Sequence, residues 1–151
     1  MTPQALAEAA AAAMWADDRA SQGLGMRIDR IAPGAATLSM TVTEAMTNGL
    51  NTCHGGYIFA LADSAFAFAC NSYNLRVVGQ MAQITYIAPA YLGDRLTATS
   101  REISKHGRSG IYDTRVTNQS GTLIAEFRGH SRTIKGTHVP PEMLTDMPTE
   151  E

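Results

Sequence analysis

Apolar and polar residues follow two different periods along this chain. Residues 4–17 are rich in alanine and favour helix, and Gly23 and Gly25 end that stretch. Residues 25–33 and 35–43 flank Pro33-Gly34, a turn signal. In the second of these, Leu38, Met40 and Val42 alternate with Thr37, Ser39 and Thr41, the period of a half-buried strand. Residues 44–54 are rich in Asn, Thr and Gly and read as a loop. Residues 55–72 return to helical spacing at Ile58, Leu61, Ala62, Ala65 and Ala69, while Phe59, Phe66 and Cys70 cover the adjacent side. A helix that is apolar on all sides is expected to be buried. Four further strands are predicted at 77–88, 94–104, 109–118 and 122–134. Leu92-Gly93-Asp94, His106-Gly107-Arg108 and Gln119-Ser120-Gly121 separate them and predict hairpins. From Gly136 on, Pro140, Pro141, Pro148 and acidic residues predict a frayed tail.

The order is therefore helix, two strands, one long apolar helix, four strands. A single helix enclosed by an antiparallel sheet is an α+β arrangement. One curved sheet cannot cover that helix on every side, so a partner subunit is expected to cover the rest. With 151 residues and no internal repeat or linker, residues 1–151 are expected to form one domain, with its core in 15–136.

Charge and cysteine content narrow the function classes. The formal net charge is −2, and no basic patch of the nucleic-acid-binding kind is present. Cys53 and Cys70 are too few for a disulfide framework and are read as reduced thiols in a cytoplasmic chain. The Ala-rich start contains Glu8 and no Lys or Arg before Arg19, unlike a secretory signal. No apolar run approaches the roughly 20 residues of a membrane span. No membrane or nucleic-acid partner is expected.

The chemistry concentrates between Asn48 and Asn71. His54-Gly55-Gly56 leads into the apolar helix, where bare backbone N–H groups meet the favourable end of the helix dipole. Asp63 is the one charged residue of that helix, and a carboxylate in apolar surroundings is costly unless it has partners or a task. Oxyanion donors together with a carboxylate suggest acyl transfer or hydrolysis. The bland alternatives stand beside this reading. Asp63 can cap backbone N–H groups, His54-Gly55-Gly56 can be a helix-start turn, and Asn48 and His54 can be ordinary loop residues. Gly56 and Asp63 are seven residues apart, about 10 Å along one helix and on nearly the same face. One carbonyl cannot touch both, but two such helices antiparallel across a two-fold axis bring one helix start to the middle of the other. If Asp63 is catalytic, this geometry predicts a homodimer with shared sites. Other chemistries fit poorly. His54, His106, His130 and His138 show no pair at metal-ligand spacing, so no zinc site is expected. Gly107-Arg108-Ser109-Gly110 is not a nucleophile elbow, and no phosphate-loop or dinucleotide fingerprint occurs. Cys53 beside His54 is a weak nucleophile pair, because sequence neighbours rarely aim at each other.

These residues resemble a known family. Met40-Thr-Val-Thr, Asn48-Gly, Cys53-His54-Gly55-Gly56, Phe59-Ala-Leu-Ala-Asp63 and Phe66-Ala-Phe-Ala-Cys70-Asn71-Ser72 are similar to the hotdog-fold acyl-CoA thioesterases. The likeness is to the PaaI type of phenylacetate degradation, and it continues through Gly93-Asp94, Gly110-Ile-Tyr-Asp, Val116-Thr-Asn-Gln and Phe127-Arg128-Gly129. The resemblance implies a hotdog fold, a curved antiparallel sheet around the central helix, and a dimer of hotdogs paired into a homotetramer. It implies that an acyl-CoA thioester is the substrate, with hydrolysis to the free acid and CoA and no cofactor. It gives Asp63 the role of general base on water or of nucleophile. Gly56, with Gly55, would hold the developing oxyanion, Asn48 would orient water or the facing carboxylate, and His54 would shape the loop. Relatives carry a Ser or Thr on the strand after the helix, where this chain offers Gln80 or Gln83. CoA phosphates need cations, for which the turn Lys105-His106-Gly107-Arg108-Ser109 is the first candidate and 128–135, with His130, Arg132 and Lys135, the second. Met46, Leu50, Tyr57, Phe59 and Phe66 are candidates to line an apolar acyl pocket for phenylacetyl or hydroxyphenylacetyl groups. Two other classes stay in view, a hotdog hydratase or dehydratase using His54 with Asp63, and a non-catalytic acyl-CoA binding module.

Overall fold

The structure is a computed structural model and describes residues 1–144. Helix α1 (Pro3–Asp17) is capped by Thr2, whose Oγ1 accepts from the Ala5 N–H, with Pro3 in the first turn where its missing N–H costs nothing. A short α2 (Arg19–Gly23) follows. Strands β1 (Arg27–Ala32) and β2 (Ala35–Thr41) form the hairpin expected around Pro33-Gly34, with Gly34 at φ 71°. Then come α3 (Gly55–Cys70), β3 (Leu75–Tyr86), β4 (Arg95–His106), β5 (Ser109–Thr117), β6 (Leu123–Thr137) and a single turn, α4 (Pro141–Leu144).

The six strands form one antiparallel sheet in the order β1-β2-β4-β5-β6-β3, and α3 packs against all six. This is the α+β hotdog arrangement. The β4–β5 and β5–β6 hairpins are as expected, but a β3–β4 hairpin is not formed. The turn signal at Leu92-Gly93-Asp94 is real, yet its backbone is tied to the end of β2. The Gly93 N–H donates to the Val42 carbonyl at 2.9 Å and the Val42 N–H to the Asp94 carbonyl at 2.8 Å. The chain therefore leaves β3 at one edge and resumes beside β2, and β3 pairs with β6 instead.

The core lies between α3 and the sheet. Phe66 and Phe68 are almost fully buried, and the Phe66 ring meets Tyr112 and Phe127 with centroids 5.7 and 5.8 Å apart. Each such ring contributes about 1.5–3 kcal/mol by leaving water. The sheet alone does not cover the helix all round, as expected of a single curved sheet. Gly56 and Asp63 are exposed and Ala60 and Ala67 half-buried, so an uncovered stripe runs along α3. Beside it, β3 is an edge strand exposed at nearly every position, with Val78 and Met81 open to solvent. The opposite edge is guarded, since Gln4 of α1 reaches the Ile31 carbonyl at 2.7 Å.

The frayed tail expected from Gly136 does not begin there. Strand β6 runs to Thr137, and the Asn74 side chain pairs with both the N–H and the carbonyl of Val139 at 2.9 Å. His138 Nε2 lies 2.6 Å from Asn71 Oδ1 at the end of α3. The remainder of that expectation, residues 145–151, lies outside the described residues.

Candidate active site

The loop before α3 folds on Asn48. Its Oδ1 accepts from the Leu50 N–H at 2.9 Å, the Thr52 N–H at 3.3 Å and the Thr52 hydroxyl at 3.0 Å. The loop is anchored by the Cys53 N–H on the Ala90 carbonyl and the His54 N–H on the Met46 carbonyl. Asn48 thus builds the loop within one chain and is not among the residues lining the Asp63 cavity.

His54 is the N-cap of α3, its Nδ1 accepting from the Gly56 N–H at 2.9 Å. The Gly56 N–H, expected as the main oxyanion donor, is therefore engaged. The Gly55 N–H makes no hydrogen bond among the described residues and is the open donor at this end. On the other side of the same turn, the Tyr86 hydroxyl donates to the Gly55 carbonyl at 2.8 Å. A Cβ at Gly55 would meet the Tyr86 ring at 2.9 Å, so a side chain there would displace the ring from its bond to the Gly55 carbonyl. Tyr86 has no signal in the sequence, because it comes from β3, 31 residues away.

Asp63 sits two turns further on. It lines a cavity of about 280 Å³ with Phe66, Cys70, Val77, Gln80 and Met81. The carboxylate makes no hydrogen bond or ion pair among the described residues. Water reaches it along one side of the single chain, while the apolar walls on its other sides push its carboxyl above the usual range. Burial, with a smaller contribution from the Asp63 charge, pushes the neighbouring Cys70 thiol up to about 12. Burial likewise raises the Cys53 thiol. Burial thus disfavours the thiolate form of both cysteines, which argues against either as a nucleophile.

Of the two glutamines, Gln80 lines the Asp63 cavity. Gln83 faces the other side of the sheet, beside Asp113 and Arg128. A β-bulge between Gly79 and Met81 re-aims the chain at Gln80. Of the apolar candidates, only Phe66 lines this cavity. Leu50 is 82% exposed, Met46 is in the core, and Phe59 packs edge-on against Phe127. A second, more apolar hollow of about 490 Å³ opens at the start of α3, between Cys53, Ile58, Tyr86 and Pro89 with Gly55 at its rim. A polar hollow of about 480 Å³ between α1 and β1 contains none of the candidate residues.

The basic turn lies at the opposite end of α3. His106 pairs with Ser109 across Gly107-Arg108, with Gly107 at φ 59°. Lys105 Nζ lies 3.8 Å from the Tyr73 ring centroid, just beyond the helix end, in a cation–π contact. Arg108 and His106 are exposed. Ser109 pairs with Arg132 in the sheet, so the two basic candidates converge on one surface. The helix-start donors, Asp63 and the cations thus occupy the start, middle and end of α3, about 24 Å in all.

The chain is similar to known thioesterases. A family model described as "Thioesterase superfamily" matches residues 50–125. The acyl-coenzyme A thioesterase PaaI of Escherichia coli K12 is 42% identical over 125 residues, covering 83% of this chain and 89% of that protein. A putative esterase of Archaeoglobus fulgidus is 36% identical over 116 residues, 77% of this chain and 75% of its own length. The solved structure of the E. coli PaaI protein, from the phenylacetic acid degradation operon, superposes with a TM-score of 0.89 at 40% identity, covering 90% of this chain and 99% of that one. A mutant of the phenylacetic acid degradation protein PaaI from Thermus thermophilus gives a TM-score of 0.75 at 32% identity, covering 78% and 100%. The family match spans the end of the loop, the whole of α3 with Asp63, and most of the sheet around it, and this chain belongs to the thioesterase superfamily as a homologue of the acyl-CoA thioesterase PaaI.

Proposed function

We propose that this protein hydrolyses aryl-acetyl-CoA thioesters, of the phenylacetyl or hydroxyphenylacetyl kind, to the free acid and CoA. The observation that carries the reading is Asp63, a carboxylate without a hydrogen-bond partner among the described residues, its pKa raised by apolar walls, lining a cavity on the uncovered face of α3. An acid tuned upward toward the working pH suits a general base on water, and an unpartnered carboxylate also suits direct attack on the thioester. The thiol of CoA leaves readily, so strong general-acid help is not required. The apolar wall at Phe66 and the small size of the cavity favour a compact aryl acyl group, in keeping with the phenylacetic acid degradation operon of the E. coli relative.

Asp63 and the Gly55 N–H lie too far apart on one helix to share a carbonyl, about 12 Å of rise over eight residues. The proposal therefore includes a homodimer in which the uncovered stripe of α3 and the bare β3 edge meet their counterparts. Each site would then combine Asp63 of one copy with the helix start of the other, and pairs of dimers would form a homotetramer. The Lys105–Ser109 turn, with Arg132 beside it, would take the CoA phosphates. No helix among the described residues is long and apolar enough to cross a membrane. The two free thiols and a CoA thioester substrate favour action in the cytoplasm.

The test is release of free CoA thiol from phenylacetyl-CoA, with straight-chain acyl-CoAs for comparison, by the wild type and by Asp63→Ala, each checked for folding. Turnover by the wild type that is lost in the variant is the expected result. A folded wild type that cleaves none of these thioesters would return the chain to the hydratase or binding-module classes.

A further inference from the structure

The first peptide of α3 is held at both ends. Its carbonyl, on Gly55, accepts from the Tyr86 hydroxyl at 2.8 Å, and its N–H, on Gly56, donates to His54 Nδ1 at 2.9 Å. Hydrogen bonds in line through one peptide polarise each other, each strengthening the next by about 10–30%. The chain Tyr86 Oη–H to Gly55 C=O, then Gly56 N–H to His54 Nδ1, is a line of this kind. It is assembled from three separate parts of the chain: the loop before the helix, the helix start, and the end of β3. A hydroxyl donating to a carbonyl in a helix's first turn is not needed for the helix itself, since that carbonyl is already available to the N–H four residues on. The Tyr86 ring also lies close over Gly55, where an added Cβ would come within 2.9 Å of it.

We propose that Tyr86 is a positioning residue for the oxyanion donors at the start of α3. The inference rests on the thioesterase reading above. The phenol fixes the Gly55–Gly56 peptide against β3, and this holds the adjacent, open Gly55 N–H in one direction. By drawing electron density toward the Gly55 carbonyl it also makes the Gly56 N–H a stronger donor. That N–H becomes available to a thioester oxygen when the exposed His54 imidazole swings off it. Tyr86 touches neither the reacting carbonyl nor the attacking group in this scheme and acts through the peptide. Desolvation, with a smaller effect of the nearby Cys53, pushes the phenol pKa up, so the O–H remains a donor throughout the neutral range.

Tyr86→Phe tests this, because it keeps the ring over Gly55 and the wall of the apolar hollow and removes only the O–H. The expected result with phenylacetyl-CoA is a kcat lower by about three- to tenfold with KM within about twofold. That is a smaller loss than the ~100-fold typical when an oxyanion donor is itself removed. In the substrate-free protein, the Gly56 amide proton resonance is expected to move upfield, as its hydrogen bond to His54 weakens. An unchanged kcat would overturn the proposal. So would a raised KM with kcat held and a lowered Tm, which would make Tyr86 a packing residue only, or an unmoved Gly56 resonance. Absence of turnover in the wild type would count against the thioesterase reading, while the amide resonance would still decide whether the phenol polarises this peptide.

Discussion

At the start of α3 the first peptide is bonded on both sides, by Tyr86 and by His54, while two turns on Asp63 has no hydrogen bond among the described residues. One helix carries both extremes on one uncovered face. In the proposed reaction the start holds the donors against which charge would develop, and a peptide fixed at its carbonyl suits that task. The middle is a carboxylate with no protein partner among the described residues, solvated on one side and held against apolar walls that disfavour its charge. In the proposed reaction, the saturated part orients and the unpartnered part acts.

The largest expected effect comes from Asp63→Asn. If the deficient station does the chemistry, kcat falls by about a thousandfold, within the range for a lost general base. The same change should raise the Tm at neutral pH. Burial lifts the folded-state pKa of Asp63 above its ordinary value of 3.8, so its ionised form is the disfavoured one. Its favourable contribution is complete below that ordinary value and is lost as pH rises through the folded-state pKa. The gain from Asn should accordingly vanish in acid, and the acid limb of kcat/KM should lie above pH 3.8. A variant that is inactive and no more stable would mean that the carboxylate finds a partner in the assembled protein.

His54→Ala probes the saturated station. Loss of the N-cap should lower stability by about 1 kcal/mol, read from a denaturant midpoint. The fold should survive, since Tyr86 still holds the Gly55 carbonyl. A loss several times larger would mean that His54 alone carries the helix start.

The smallest effect sharpens what deficiency means. Ser100 Oγ and Thr114 Oγ1 are fully buried, face each other as cross-strand partners, and make no hydrogen bond. Unlike Asp63, they do not line its cavity. Thr114→Val keeps the shape and removes the orphaned hydroxyl, and should raise stability by up to about 1 kcal/mol with kcat unchanged. A loss of activity there would show that this pair also serves the site.

The sequence pattern revealed the helix and most strands because each is written locally. Leu38, Met40 and Val42 alternate, and Ile58, Leu61 and Ala65 recur at helical spacing. The neighbour of β3 is not written locally. Gly93 announces a turn, but it is the long-range bonds to Val42 that send β4 away from β3. Asp63 was legible as a lone charge in an apolar helix, and His54-Gly55-Gly56 as a helix start. That His54 Nδ1 takes the Gly56 N–H, that Tyr86 reaches back to Gly55, and that Lys105 lies on Tyr73 depend on tertiary placement. The hold of Asn71 and Asn74 on His138 and Val139 was hidden too, because asparagines after a helix read first as turn residues.

Phe66 packs where two strands have no side chains. A Cβ added at Gly129 would come within 2.8 Å of its ring, and one at Gly79 within 3.2 Å. The ring edge that fills those two gaps belongs to the side chain that also walls the Asp63 cavity. These positions, far apart in the chain, share one packing constraint, tightest between Gly129 and Phe66. Enlarging Gly129 alone would strain the core, and shrinking Phe66 alone would leave it hollow, but the two exchanged together would trade volume between core and cavity. If the Asp63 cavity takes the acyl group as proposed, a route to altered acyl preference runs through Gly129, a residue that does not line that cavity.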